Sequence, residues 1–422
     1  MVTEHRGKIQ AVLFACAMNA IRSPMAEAIA AVLESIPTVS EVEMLALEQA
    51  NGRVLATGCV SPLNVPPTSN SAMDGYAVRA ADVQRVPVSL AVSQRIVAGS
   101  VGSPLEAGTA ARIFTGAPLP AGADAVVMQE NAALDGEQVS ILQAVGAGEN
   151  TRAAGEDIEH GQDLFLAGHR LMAQDIGVLA SVGIAELAVV RRLRVALFTT
   201  GDELVAPGTE LGAGQIYNSN HYALSALLQN IQAEVVTHAI VGDDFVGTQS
   251  ALQSAAANAD VIISTGGVSV GEEDHVKAAI ESIGHLDLWK LAIKPGKPFA
   301  SGKVGDVQFF GLPGNPVSAF VTFLLLVKPA LLTMQGCTEV FPQSLPIPAG
   351  FDADESGERQ EYIRVRLRKD ERGMPWLYPY DNQSSGAGAS LSHADGLAII
   401  PPHTAVNRGD SLEFLMFSAL IN

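Results

Sequence analysis

The spacing of apolar positions changes character several times along the 422-residue chain. Residues 25–33 place apolar side chains at helical spacing, and Pro37 closes that segment. From residue 60 to 145, short β-type runs (86–92, 110–114 and 125–128) alternate with Gly and Pro turns. That texture predicts a small β domain. Residues 171–182 return to helical spacing.

From residue 194 to about 334 the pattern alternates strand and helix. Strands are predicted at 195–198, 234–241, 261–263, 288–293 and 307–310, and helices at 221–231, 274–283 and 317–332. Such alternation predicts a mostly parallel sheet covered by helices, whose ligands bind beyond the carboxyl ends of the strands. The remainder, 345–422, is strand-like again. Residues 362–367 alternate cleanly and 411–414 less so, which predicts a small barrel or sandwich.

The chain is too long for one ordinary core. Its longest apolar run, 319–327 broken by Thr322, falls short of the roughly 20 residues of a membrane span. A net charge of -19 argues against a general nucleic-acid binder, which needs clustered Lys and Arg. It leaves room for one small anion held by local basic groups. Cys16, Cys59 and Cys337 have neither metal-finger nor disulfide-framework spacing, so a reducing cytoplasm is expected. The apolar run 11–18 after Arg6 and Lys8 is too short, and too quickly followed by Asn19, Arg22 and Pro24, to read as a secretory signal.

Five features can carry chemistry, each of which taken alone also fits an ordinary turn, cap or charged surface. Ser264-Thr265-Gly266-Gly267, with Ser269 beyond, follows a buried strand and opens a helix, a combination that cradles phosphate. Lys290, Lys294 and Lys297 fall within eight residues beside Pro295 and Pro298, an anion pocket on an otherwise acidic protein. Pro313-Gly314-Asn315-Pro316 is a stiff loop at a helix start, whose amides suit an oxyanion. The carboxylates Asp74, Asp202, Glu203, Asp243, Asp244 and Asp274 sit in loops, and magnesium takes one or two such groups plus substrate phosphates and water. Residues 70–77 form a small-residue loop around Asp74 that allows close ligand approach.

Seven stretches, 70–77, 113–118, 155–158, 200–204, 264–274, 290–298 and 312–318, occur in the order seen in the MoeA and gephyrin E-domain family of molybdotransferases. The chain resembles that family from about residue 25 to its C-terminus. The resemblance implies a multidomain α/β fold: a molybdopterin-binding sheet domain (188–345), an extended N-terminal helical linker region (25–59 and 159–187), an inserted small β domain (60–158) and a C-terminal β-barrel-like domain (346–422), with 1–24 as an extension. It implies a homodimer with a cleft between one subunit's sheet domain and the other's β domain. It also implies molybdate insertion into adenylylated molybdopterin, assisted by Mg2+ or another divalent cation, with release of AMP. The adenylyltransferase that makes that substrate and the apo-proteins of molybdoenzymes are the implied partners.

Carried over by motif, Asp74, Glu203, Asp243, Asp274, Lys290 and Lys294 match the family's catalytic set, with Glu203, Asp243 and Asp274 as metal ligands. Thr115, Asp157, Ser264, Thr265, Gly266, Gly267, Ser269, Lys297, Pro313, Gly314, Asn315, Pro316, Arg364 and Ser385 match its substrate-binding positions. The chain departs from the pattern at Arg152-Ala153-Ala154, where the family usually carries a run of arginines, and at Ser384, where it carries Gly.

Residues 10–27, with Cys16 and Arg22 at nucleophile and phosphate-loop spacing, resemble the phosphate loop of low-molecular-weight tyrosine phosphatases. No room remains for that enzyme's sheet or acid loop, so the segment is expected to be inert. Two other readings stand beside the transferase. One is a non-catalytic dimeric scaffold that binds partner proteins; the retained carboxylates argue against it. The other is an adenylyltransferase, an activity of relatives that consist of the sheet domain alone, against which the flanking β domains argue.

Overall fold

The structure is a computed structural model that describes residues 29–30, 32–34, 36–242, 244–267, 275–296 and 298–422, with backbone alone at 288–290. Asp243, Ser269, Asp274, Lys297, the Lys290 side chain and the Cys16–Arg22 loop lie outside what it describes.

The central sheet has six strands in the order Glu234–Val241, Arg194–Thr200, Val261–Thr265, Val307–Leu312, Pro298–Val304, Gly284–Lys290. The first four are parallel, and the last two fold back as an antiparallel edge hairpin. The sheet is covered on both faces, so its strands read as continuous apolar runs. Alternation still sorts the side chains. Val195, Leu197, Val261 and Ile263 join the helix Ser219–Asn230 and the helix beginning at Pro316 in one core. Ala196, Phe198 and Ile262 join the helices Phe245–Ala256 and His275–Ile283 in the other.

Chain order places the ligand edge. From Arg194–Thr200 the chain crosses to Glu234–Val241 on one side, then returns past its starting strand to Val261–Thr265 on the other. The order therefore reverses between strands ending in Thr200 and Thr265, and a crevice opens at such a switch point.

Several expectations need correction. The helix Phe245–Ala256 and the strand Pro298–Val304 are absent from the predicted alternation. Phe245–Ala256 is rich in Ser, Gly, Thr and Ala, so its apolar stripe is faint. The last helix runs unbroken from Pro316 to Met334, with a π-helical stretch at Phe323–Val327. By its 19-residue length and a mean hydropathy of 1.9 it is apolar enough to cross a membrane, although the apolar run 319–327, broken by Thr322, is far shorter. In the fold 89% of its apolar window is buried in the sheet-domain core.

The linker region is more strand than helix. It pairs Val42–Ala46 with Glu186–Val190 and Cys59–Val60 with Asp163–Phe165, and beyond the helical residues near 29–34 it holds the helix Ala173–Ser181. The inserted domain is a six-stranded sheet between Gly75 and Ile141, close to the predicted β runs. In the C-terminal domain Gln360–Lys369 and its neighbours form a sheet that ends at Leu345–Pro348. A further bridge from Ala349 to Leu377 brings its two margins together, so it is barrel-like as expected.

Candidate active site

A cavity of about 820 Å³ opens at the switch point of the central sheet. Its walls come from strand ends and helix starts. Thr200 and Thr265 terminate two neighbouring parallel strands, and Pro313–Pro316 follows a third. Two helices begin at its wall, Ser219–Asn230 and the long helix from Pro316. First-turn amides have no intrahelical acceptors, and the macrodipole adds partial positive charge there. Two such ends on one cavity favour an anion.

Local bonding fixes these loops. Asn218 caps the first helix by accepting from the His221 amide at 3.2 Å, while its Nδ2 donates to Thr199 Oγ1 at 2.7 Å. Asn220 Nδ2 donates to the Gly314 carbonyl at 2.7 Å, tying one helix start to the other. Asn315 occupies the N-cap of the long helix, but its amide reaches across to Ser385 Oγ at 3.1 Å. The Val317 amide donates to the Ser385 carbonyl at 3.0 Å. Ser385 is thereby docked onto the oxyanion-type loop from another domain.

The C-terminal domain supplies one wall. Ile293–Lys294 pairs in parallel with Gln360–Glu361, and the Lys294–Pro295 bond is cis. Lys294 Nζ donates to Glu361 Oε1 at 3.0 Å. Opposite, Glu203 sits over Gly201, whose φ is +136°. A Cβ on Gly201 would stand 2.7 Å from the Glu203 Cδ, so the missing side chain makes the room in which this carboxylate lies. Gly266 does similar service behind the wall: at φ +83° its Cβ would fall 2.6 Å from Thr200 Oγ1.

Eight of the sequence-predicted residues line this cavity: Glu203, Thr265, Lys294, Pro313, Gly314, Asn315, Pro316 and Ser385. Ser264, Gly266 and Gly267 do not. Strand alternation turns Ser264 to the opposite face from Thr265, and the two glycines pack against Thr200 and Val276. Arg364 is not in the lining either. It is 1% exposed and braces the neighbouring loop, donating to the carbonyls of Asn382 at 3.1 Å and Ser384 at 3.0 Å and to Ser390 Oγ at 3.1 Å. Asp244, one of the loop carboxylates, is the N-cap of Phe245–Ala256 and accepts from the Gly247 amide at 2.7 Å.

Asp74, Thr115 and Asp157 belong to the β domain and do not line the cavity of their own chain. One Asp74 oxygen, Oδ1, accepts from both the backbone amide and the hydroxyl of Thr115, each at 2.8 Å. Those two bonds, with Arg112 nearby, hold its carboxyl below the ordinary carboxylate range. Asp157 lies in a separate hollow of about 430 Å³ with Arg152 and Asn70, whose buried Oδ1 has no hydrogen-bond partner among the described residues.

The sequence reading missed Thr200, Asn218, Ser219, Asn220, Arg359, Gln383 and Ser384, all in the wall. A signal existed for some of them. Asn218-Ser219-Asn220 is a helix N-cap composition just before a predicted helix. Arg359 is two residues from Glu361, hence on the same face of a strand.

Fold and cavity together define a multidomain α/β protein with an anion-seeking site at a sheet's switch point. Its regions match three family profiles: the MoeA N-terminal region (domain I and II) over residues 23–183, a probable molybdopterin binding domain over 196–333, and the MoeA C-terminal region (domain IV) over 346–417. The chain is 42% identical over 306 residues to a molybdopterin molybdenumtransferase of Haemophilus influenzae, covering 72% of this chain and 76% of that one. It is 38% identical over 375 residues to a molybdopterin molybdenumtransferase of Nostoc sp., covering 86% and 85%. The crystal structure of a molybdopterin biosynthesis MoeA protein from Pyrococcus horikoshii superposes with a TM-score of 0.80 at 29% identity, over 93% of this chain and 99% of that one. The chain belongs to the MoeA family, and it is a transferase of molybdenum cofactor biosynthesis.

Proposed function

We propose that the enzyme inserts molybdate into adenylylated molybdopterin and releases AMP, as a cytoplasmic homodimer. The observation that carries this reading is the convergence of two helix starts and Lys294 on one cavity in a chain of net charge -19. That is a local trap for anions, and the substrates are a pyrophosphate-bearing pterin and an oxyanion. Lys294 and the Ser219 and Asn220 amides at the start of the first helix bind the phosphates. Asn315 and Ser385 hold the oxyanion at the neighbouring loop.

Glu203 is the described carboxylate of the cavity, and among the described residues no group of three acids, histidines or cysteines stands ready as a metal cage. One free carboxylate beside space for phosphates fits magnesium, which keeps much of its shell as water and phosphate oxygen. When bound, the ion neutralises charge on the phosphates being separated. Glu203 would hold it, with Asp243 and Asp274 as the ligands expected from the sequence. Water then adds to the adenylyl phosphorus, the phosphoanhydride breaks, and AMP and the pterin phosphate part.

In the dimer, the β domain of one subunit closes over the cavity of the other and brings Asp74, Thr115 and Asp157 to it. The preset Asp74 carboxylate, exposed and outside the cavity of its own chain, favours that arrangement. The free thiols of Cys59 and Cys337 suit a reducing compartment. The test is reconstitution with adenylylated molybdopterin, molybdate and magnesium, following AMP. Release of AMP that requires all three is expected. No AMP release from folded protein, or release that ignores molybdate, would overturn the proposal.

A further inference from the structure

We propose that the outer face of the C-terminal domain hairpin, residues 366–380, is a docking surface for an acidic segment of a partner protein. Strand pairing assembles this face. Gln360–Lys369 runs antiparallel to Pro375–Pro379, with Arg366 opposite Tyr378 and Arg368 opposite Trp376. Ile363, Val365, Leu367 and Leu377 turn into the domain core. Alternation therefore sends Arg366, Arg368, Trp376 and Tyr378 together to the other face.

There the planar groups interleave. The Arg366 guanidinium lies 5.1 Å from the centre of the Tyr380 ring, Arg368 5.4 Å from that of Tyr378, and Arg408 5.7 Å from that of Trp376. Gly350 makes room for the stripe: a Cβ there would stand 2.5 Å from Tyr378 Cζ. At the hairpin tip Met374 is 57% exposed.

The cations of this face lack counterions. Among the described residues, none of Arg366, Arg368, Lys369, Arg372 and Arg408 has a carboxylate within ion-pair distance. Arg366 donates to the His393 carbonyl at 2.9 Å, and Arg408 to the Gly350 carbonyl at 3.5 Å. The tip holds two acids, Asp370 and Glu371. Asp370 is engaged by its own turn, accepting from the Arg372 amide at 2.9 Å, the Met374 amide at 2.8 Å and the Trp376 indole at 3.1 Å.

Arg, Tyr and Trp together have the composition of interface anchors. Unpaired cations on a chain of net charge -19 select an acidic partner. A long polyanion such as nucleic acid would also meet the rest of this acidic molecule, whereas a short acidic segment meets the stripe alone. The stripe begins two residues beyond Arg364, which holds the Asn382–Ser384 loop. A partner seated there adjoins the loop that carries Ser384 and Ser385 into the cavity wall.

The test uses the full chain with a fluorescent polyglutamate peptide and, in parallel, a fluorescent oligothymidylate, read by anisotropy across a salt series. Wild type should bind polyglutamate, and less tightly as salt rises. Arg366→Gln, Arg368→Gln and Arg408→Gln combined should weaken binding about 10-fold, because three exposed charge contacts of modest individual worth add. Arg85→Gln, Arg192→Gln and Lys303→Gln combined change the net charge equally, away from the stripe, and should leave binding in place. Arg368→Glu, a single exposed position, replaces the stripe variant if that variant does not keep the wild-type Tm, and should weaken binding in the same direction. Absence of polyglutamate binding at low salt, or equal loss in both triple variants, would overturn the proposal. Tighter binding of oligothymidylate that the stripe variant abolishes would overturn it too, since the face would then be a nucleic-acid platform.

Discussion

The switch-point cavity and the Asp74 corner of the β domain carry the same kinds of residue and differ in what they can do alone. The cavity gathers side chains from two domains, walls them with stiff Pro and Gly loops, and aims two helix starts inward. It is built to bind without help. The Asp74 corner is equally well ordered, with one oxygen doubly hydrogen-bonded, yet it opens onto surface and does not share the cavity of its own chain. In the proposed dimer this preset carboxylate is half of a site. The contrast teaches that local preorganisation and enclosure are separate achievements, and in the proposed dimer the second comes from another copy.

The largest effect should come from the enclosed half. Lys294→Ala removes a cation beside the phosphates and also leaves Glu361, with a side chain 19% exposed, unpaired and repelling the incoming anion. We expect about a 10²- to 10³-fold loss in kcat/KM, comparable to removing one preorganised electrostatic group. Adding Glu361→Gln to the same chain should recover part of that loss, because the stranded negative charge disappears with it. A Lys294→Ala enzyme that kept near-normal kcat/KM would show that the cavity is not where the phosphates bind.

The next effect tests the division of labour between copies. Asp74→Asn and Lys294→Ala chains are each expected to be inactive as homodimers. Refolded together in equal amounts, half of the dimers are mixed, and a site shared between subunits leaves one intact site in each of those. About a quarter of wild-type activity should therefore return. A site contained within one chain returns none, which would collapse the comparison.

How much of this was visible in the amino-acid string divides along the same line. Motif order placed Glu203, Lys294, Asn315 and Ser385, and the structure brings all four to one cavity. Orientation was the part that stayed hidden. Ser264 and Thr265 are adjacent in a strand, so one faces the cavity and the other must face away, and nothing local says which. Arg364 and Arg359 differ in the same manner: register with Ile293–Lys294, a long-range pairing, decides that one is a buried brace and the other lines a wall. The helix Phe245–Ala256 was missed because small residues give it almost no apolar stripe, whereas its cap, Asp244, looked like a candidate ligand. Sequence thus reported which chemistry was present, and tertiary pairing reported where it points.

The smallest effect sharpens the open half. The Thr115 amide is the first cause of the depressed Asp74 pKa and the Thr115 hydroxyl the second. Thr115→Val removes the hydroxyl bond and keeps the amide bond, so the carboxyl should move part of the way back toward its ordinary range. A group whose folded pKa is depressed is ionised, and contributes what it contributes, above its unfolded pKa of 3.8, and it loses that as pH falls through the folded value. Raising the folded value therefore shifts the acid limb of the activity profile to higher pH and leaves the neutral plateau unchanged. Thr115→Ser, which retains a hydroxyl donor, should restore the limb. If Thr115→Val moved nothing on the acid side, the Asp74 carboxylate would be a structural cap of its loop and not the partner half of the site.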